Sequence, residues 1–148
     1  MKRTRGALAV AVVALCLPLA LPATTMKQTL AAIAVPKDGK AIPLEGLIYK
    51  ATFTAELTTV RIDPVPVADA DPVECDWILT GNNTDGQVHR VGVTVTLVDE
   101  SGTQTASFST KALLRPGAKG QSVSVHMKVS GKVWKETRTI RIAADWFS

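Results

Sequence analysis

The sequence predicts an all-β fold: an antiparallel, immunoglobulin-like two-sheet sandwich of six or seven strands, preceded by a signal peptide. Three observations carry this. From residue 47 onward apolar and polar side chains alternate with period two, which places them on opposite faces of a strand. Clusters rich in Gly, Asn, Asp and Ser punctuate the alternating stretches at short intervals, the spacing expected of a sandwich built from hairpins. Ahead of them stands a cationic start, Lys2, Arg3 and Arg5, followed by an apolar run over residues 6–23.

That leading segment reads as a secretory signal, with cleavage expected within residues 20–26. Pro18 and Pro22 would break the last turns of a spanning helix, so cleavage is preferred to retention as an anchor. Leu15, directly before Cys16, is too large for lipid-transfer processing at that cysteine. The chain then divides into a signal peptide at 1–23, an N-terminal loop segment at 24–46 with Pro36 and Pro43, and a β-sandwich domain at 47–148. Residues 29–35 are open to one helical turn or a seventh strand.

The first strand places Leu47, Tyr49, Ala51, Phe53, Ala55 and Leu57 on one face; beyond Thr58 and Thr59 the phase slips to Val60 and Ile62. Such a slip predicts a β-bulge or a strand that crosses between sheets. Residues 63–71 alternate Asp, Pro and Val and read as a stiff connection carrying the chain from one sheet to the other. Inward sets follow at Val73, Cys75, Trp77 and Leu79; at Val91, Val93, Val95 and Leu97; at Ala106 and Phe108; and at Val123, Val125, Met127 and Val129. A last strand over 134–142 would align Trp134, Ile140 and Ile142. Turns are expected at 81–86, 99–102, 115–120 and 130–132. Helix has little support, and a processed chain of about 125 residues is long enough to bury a core without staples.

Composition excludes several classes. The chain of 148 residues is 46% hydrophobic and 20% charged with two cysteines, which fits neither a collagen, a dense disulfide scaffold, a polytopic membrane protein nor a disordered polyelectrolyte. The formal charge of +4 comes from 17 Lys+Arg against 13 Asp+Glu. Removing the three leader cations leaves 14 against 13, so the body is near neutral but polarised along its length. Acids Asp63, Asp69, Asp71, Glu74 and Asp76 precede a basic reach of Lys111, Arg115, Lys119, Lys128, Lys132, Lys135, Arg138 and Arg141, interrupted by Glu136.

Leu79, Thr80, Gly81, Asn82 and Asn83, then residues 93–99 with Gly102, then Leu114, Arg115, Pro116 and Gly117 give residues 77–125 a pattern that resembles the FxLYD-type domains. These are small β-sandwich modules of bacterial and archaeal envelope proteins; Val95 and Val98 stand where that family carries its two naming aromatics. The resemblance implies a fold and an envelope setting and brings no catalytic residues with it.

Catalytic and metal constellations are sparse. Removal of the leader leaves Cys75 alone, so no internal disulfide can form. Cys75 could form an intermolecular disulfide, react as a nucleophile or lie buried and inert, and the last is expected, because burial and the flanking Glu74 and Asp76 oppose thiolate formation. His89 and His126 are expected on the surface, too few for a zinc site, and alternation separates His126 from Met127, against a copper site. Asp69 and Asp71 have calcium-loop spacing without the turn glycine. Asn82, Asn83 and Thr84 form a glycosylation sequon expected in an accessible turn.

The expected function is that of a secreted or periplasmic, non-enzymatic protein interaction module in the cell envelope, without cofactor or metal, docking through a sheet edge or a basic sheet. The alternative is binding of an anionic or carbohydrate envelope polymer through Lys128, Lys135, Arg138, Arg141 and Trp146. The partner is an envelope or extracellular protein, or that polymer. No nucleic-acid partner is expected, and membrane contact only through an uncleaved signal.

Overall fold

Val73, Cys75, Trp77 and Leu79 are buried together with Val91, Val93, Val95, Leu97, Val123, Val125 and Met127, so the period-two faces read from the sequence are the faces that form the core. The computed structural model describes residues 25–30, 32–45 and 55–147. The expected signal peptide at 1–23 and the strand positions Leu47, Tyr49, Ala51 and Phe53 lie outside them.

Among the described residues the order is β1 (Thr25–Thr29), β2 (Ile33–Ala34), β3 (Ile42–Pro43), β4 (Ala55–Asp63), β5 (Val73–Asn83), β6 (His89–Val98), β7 (Gln104–Leu114), β8 (Gln121–Val129), α1 (Gly131–Glu136) and β9 (Thr139–Phe147). One sheet runs β1-β9-β6-β7, with β2 also on β9; the other runs β3-β4-β5-β8. Every pairing is antiparallel. The inner faces close over Trp77, Leu79, Leu97, Leu114, Ile140, Ile142 and Trp146, each at most 1% exposed.

The phase slip at Thr58 is a bulge. The β4–β5 register shifts between Leu57 and Thr59, and the strand stays in one sheet throughout. Several expectations are corrected. Residues 63–71 do not cross between sheets: β4 and β5 are antiparallel neighbours, and the loop simply closes a wide hairpin. Residues 24–46, expected as loop, carry three short strands, two of them on β9 and one on β4. Strand β5 runs on through Asn83, so Asn82 is not in a turn. Its amide nitrogen donates to Glu56 Oε1 at 3.1 Å and its oxygen accepts from Gly120 N at 2.8 Å, which ties up the sequon side chain.

Residues 131–136 form a helix where strand was expected. Ser130 is its N-cap, its side chain accepting from Val133 N at 3.3 Å, as a cap residue does for an orphan donor of the first turn. The final strand therefore starts at Thr139 and runs to Phe147, adding Ala144 and Trp146 to the buried face. Trp134 sits on the helix, half-buried, its ring centroid 6.3 Å from that of Trp77.

Alternating strand direction sorts the connections to two ends. At one lie turns 84–88 and 115–120, Phe147 and the start of β1; at the other lie loop 64–72, turn 99–103 and α1. The 115–120 turn is built by Pro116 and Gly117, with Ala118 N bonded to Arg115 O at 3.1 Å and Gly117 at φ +67°, the left-handed value that glycine adopts without strain.

Candidate functional site

The residues of the expected basic face are not gathered on one sheet face. Lys128 projects from β8 beside Glu74, Nζ to Oε2 3.2 Å. Arg141 projects from β9 in the other sheet, in register with Thr96 of β6. Because β8 and β9 belong to opposite layers, their outward residues face away from each other. Lys135 is on α1, its ammonium 2.7 Å from Asp69 Oδ1. That contact holds the Asp69 carboxyl below the ordinary carboxylate range and raises the Lys135 ammonium. Arg138 donates to the carbonyl oxygens of Lys135 and Thr137. Trp146, expected at the binding surface, is a core residue at 1% exposure, and its indole N–H donates to Gln28 Oε1 at 3.3 Å. Its place is set by alternation with Ile142 and Ala144, a period-two signal that continues past 142 in the sequence.

Charge is instead divided between the two ends. Arg90, Lys111, Arg115 and Lys119, all exposed, lie at the Phe147 end. Asp63, Asp69, Asp71, Asp99, Glu100 and Glu136 lie at the other, together with Lys132, Lys135 and Arg138.

Cys75 is buried opposite Met127, with burial and then the nearby Asp76 carboxylate pushing its thiol up to about 12. At neutral pH it carries no thiolate with which to attack. The histidines differ from one another. His126 is exposed and clasped by carboxylates, Nδ1 to Asp76 Oδ1 2.8 Å and Nε2 to Glu74 Oε1 3.4 Å. His89, expected on the surface, is 2% exposed, with Nε2 3.0 Å from Asp85 Oδ2. The burial of His89 has a local cause: at the start of β6 it falls in the inward parity of Val91 and Val93. Asp85 is fixed in turn, since Asn83 Oδ1 accepts its N–H and its own Oδ1 accepts from Gln87 N.

Asp69 and Asp71 look to different partners, for Asp71 Oδ1 accepts from Gly131 N at 3.0 Å. Among the described residues no group of three His, Cys, Asp or Glu side chains could hold a metal ion.

Two surface features remain. Among the described residues strand β7 pairs with β6 alone. Near its end Gln121 bridges the outer side, its Nε2 donating to Leu113 O at 2.6 Å and its Oε1 accepting from Arg115 N at 3.0 Å. Backbone groups of alternate residues point to the same edge of a strand, so Ser107, Ser109 and Lys111 present theirs on the side that Leu113 presents its carbonyl. The second is a groove of about 820 Å³ lined by Val88, Arg90, Lys111, Leu113 and Phe147 among others. In register across the sheet, Phe147, Arg90 and Leu113 form one row, followed by Asp145, Gly92 and Lys111. Sequence reasoning passed over this groove, although Val88 and Leu113 were legible as apolar residues out of phase with their strands.

No protein-family model matches the chain, and no curated protein matches it.

Proposed function

We propose that this is a secreted or periplasmic, non-enzymatic interaction module of the cell envelope, which docks an extended segment of a partner protein by adding a strand to the β7 edge. The observation that carries this is the edge itself: an 11-residue strand that, among the described residues, is paired on one side only, so that the outward backbone groups of Ser107, Ser109 and Lys111 have no strand partner among those residues. Sheet edges are ordinarily blunted by charges, prolines or short length. Lys111 is the one charge within β7, and the strand has no proline. Main-chain hydrogen bonds would supply affinity, and the flanking Thr94–Ser109 and Thr96–Ser107 hydroxyl pairs leave a low, polar surface beside the added strand.

The order β4-β5-β8 over β7-β6-β9, with the chain crossing layers after β5, β7 and β8, supports an immunoglobulin-like sandwich. The leader at 1–23, the FxLYD-like turn pattern over 77–125 and the single buried thiol support an envelope setting. The high thiol pKa of Cys75 and the carboxylate-held histidines support a role without catalysis. Polymer binding through Lys128, Lys135, Arg138, Arg141 and Trp146 has less behind it, because these residues lie on two layers and a helix and one is in the core.

Capture from the native envelope tests the proposal. Wild type should retain a partner protein through high-salt washing, whereas Ser109→Pro, which removes an outward N–H, should lose it while melting normally. Retention unchanged in Ser109→Pro, or retention that salt abolishes, would overturn strand addition.

A further inference from the structure

We infer that the Phe147 end of the sandwich is a membrane-contacting surface, seated on the headgroup region of a bilayer that contains anionic phospholipid. The inference is independent of the strand-addition reading. Three separate observations converge on this end.

The first is exposed apolar area. Val88 and Leu113 are 52% and 51% exposed, and the half-buried Phe147 ring lies across the sheet from them, its edge 3.7 Å from where a Cβ on Gly92 would stand. Gly92 leaves that stretch low, so the phenyl ring, Val88 and Leu113 form the rims of one groove. An apolar rim of this kind around a cationic centre suits insertion among headgroups.

The second is charge. Arg90 stands in register between Phe147 and Leu113, and Lys111 one row further in, while Arg115 and Lys119 project from the adjoining turn. None of the four makes an ion pair among the described residues, in contrast to Lys128, Lys132 and Lys135 elsewhere. The acids nearby are Asp145 beside Gly92, Asp85 held by His89, and Glu56 bonded to Asn82. Long cationic side chains keep their charge among phosphates while their stems follow apolar contacts.

The third is where the chain enters. Thr25 pairs with Phe147, so the apolar run at 6–23 joins the sandwich at this end. While that segment lies in a membrane and is still attached, the end it joins is the one nearest the bilayer.

The test uses the full chain in a Cys16→Ser background, since buried Cys75 stays unlabelled. An environment-sensitive fluorophore is placed at Leu113→Cys, at Val88→Cys as a second position on the same end, and at Val67→Cys on the opposite end. Each is mixed with vesicles of phosphatidylcholine, with or without phosphatidylglycerol, carrying nitroxide lipid as quencher. With phosphatidylglycerol present, emission at positions 113 and 88 should rise several-fold in the absence of quencher and be lost in its presence. Position 67 should not respond, and Arg90→Gln with Lys111→Gln should remove the response. Silence at both 113 and 88, an equal response at 67, or the same response to a soluble anionic polysaccharide would overturn the inference, the last in favour of a polymer. Thermal melting of each variant verifies the fold.

Discussion

Trp77 and Met127 meet inside the core, where the indole Nε1–H donates to the thioether sulfur at 3.3 Å. Both side chains are fully buried, and the contact joins β5 to β8 one step diagonal from the Cys75–Met127 pair. Trp77 also leans on Trp134 of α1, so this indole links a sheet to the helix that precedes β9.

Met127→Leu keeps the volume and removes the acceptor. The indole N–H would then be buried without that acceptor, a change that costs about 1–3 kcal/mol. Urea unfolding should show a lower midpoint with an unchanged slope. A variant as stable as wild type would show that the sulfur contact contributes only packing.

Gly81 is required by space. A Cβ there would stand 2.7 Å from Leu114 Cδ2, and Leu114 is fully buried. Gly81→Ala should therefore destabilise the sandwich by roughly 1–3 kcal/mol through overpacking. Shrinking the clashing group in a Gly81→Ala, Leu114→Val double variant should recover part of the loss, measured as a coupling in a double-mutant cycle.

Asn83 organises the turn at the Phe147 end. Fully buried, it donates to Gln87 O at 2.7 Å and Leu114 O at 3.1 Å and accepts from Asp85 N at 3.0 Å. Asn83→Ala strands those backbone groups, for a loss of about 2–3 kcal/mol. Amide exchange should accelerate first over residues 84–89, and protection there equal to wild type would rule out this role.

Cys75 links stability to alkaline pH. Burial, then the Asp76 carboxylate, raises its folded-state pKa from an ordinary 9.0 to about 12. A raised pKa means that the folded state holds the proton more tightly than the unfolded state does. The associated stability is fully present below about 9.0 and is lost as pH climbs toward 12. Wild type should lose melting temperature across that window more steeply than Cys75→Ala. The native thiol should stay inert to an aromatic disulfide reagent at neutral pH and react on unfolding; rapid native reaction would contradict its burial.

Period two is a local property of a strand, and so the sequence by itself determined which side chains of 73–79, 91–97 and 123–129 face inward, where the β4 bulge falls, and that Cys75 is a core thiol. The Pro116 and Gly117 turn was legible for the same reason, since its chemistry lies within four residues. Pairing partners are another matter, because a strand's alternation carries no label for the layer it joins. Lys128 and Arg141, thirteen residues apart, therefore read as one basic face and stand on opposite layers. The helix at 131–136 escaped notice because its six residues are too few to display a 3.6 period, and its formation follows from the Ser130 cap and the Trp134–Trp77 contact. Position in the chain suggests a surface place for His89, at a strand start, and leaves Trp146, near a terminus, open between a core plug and an exposed contact; neighbouring strands bury both. Only the tertiary structure gathered Val88, Arg90, Lys111, Leu113 and Phe147 at the end where the chain enters, since that juxtaposition depends on contacts between residues far apart in sequence.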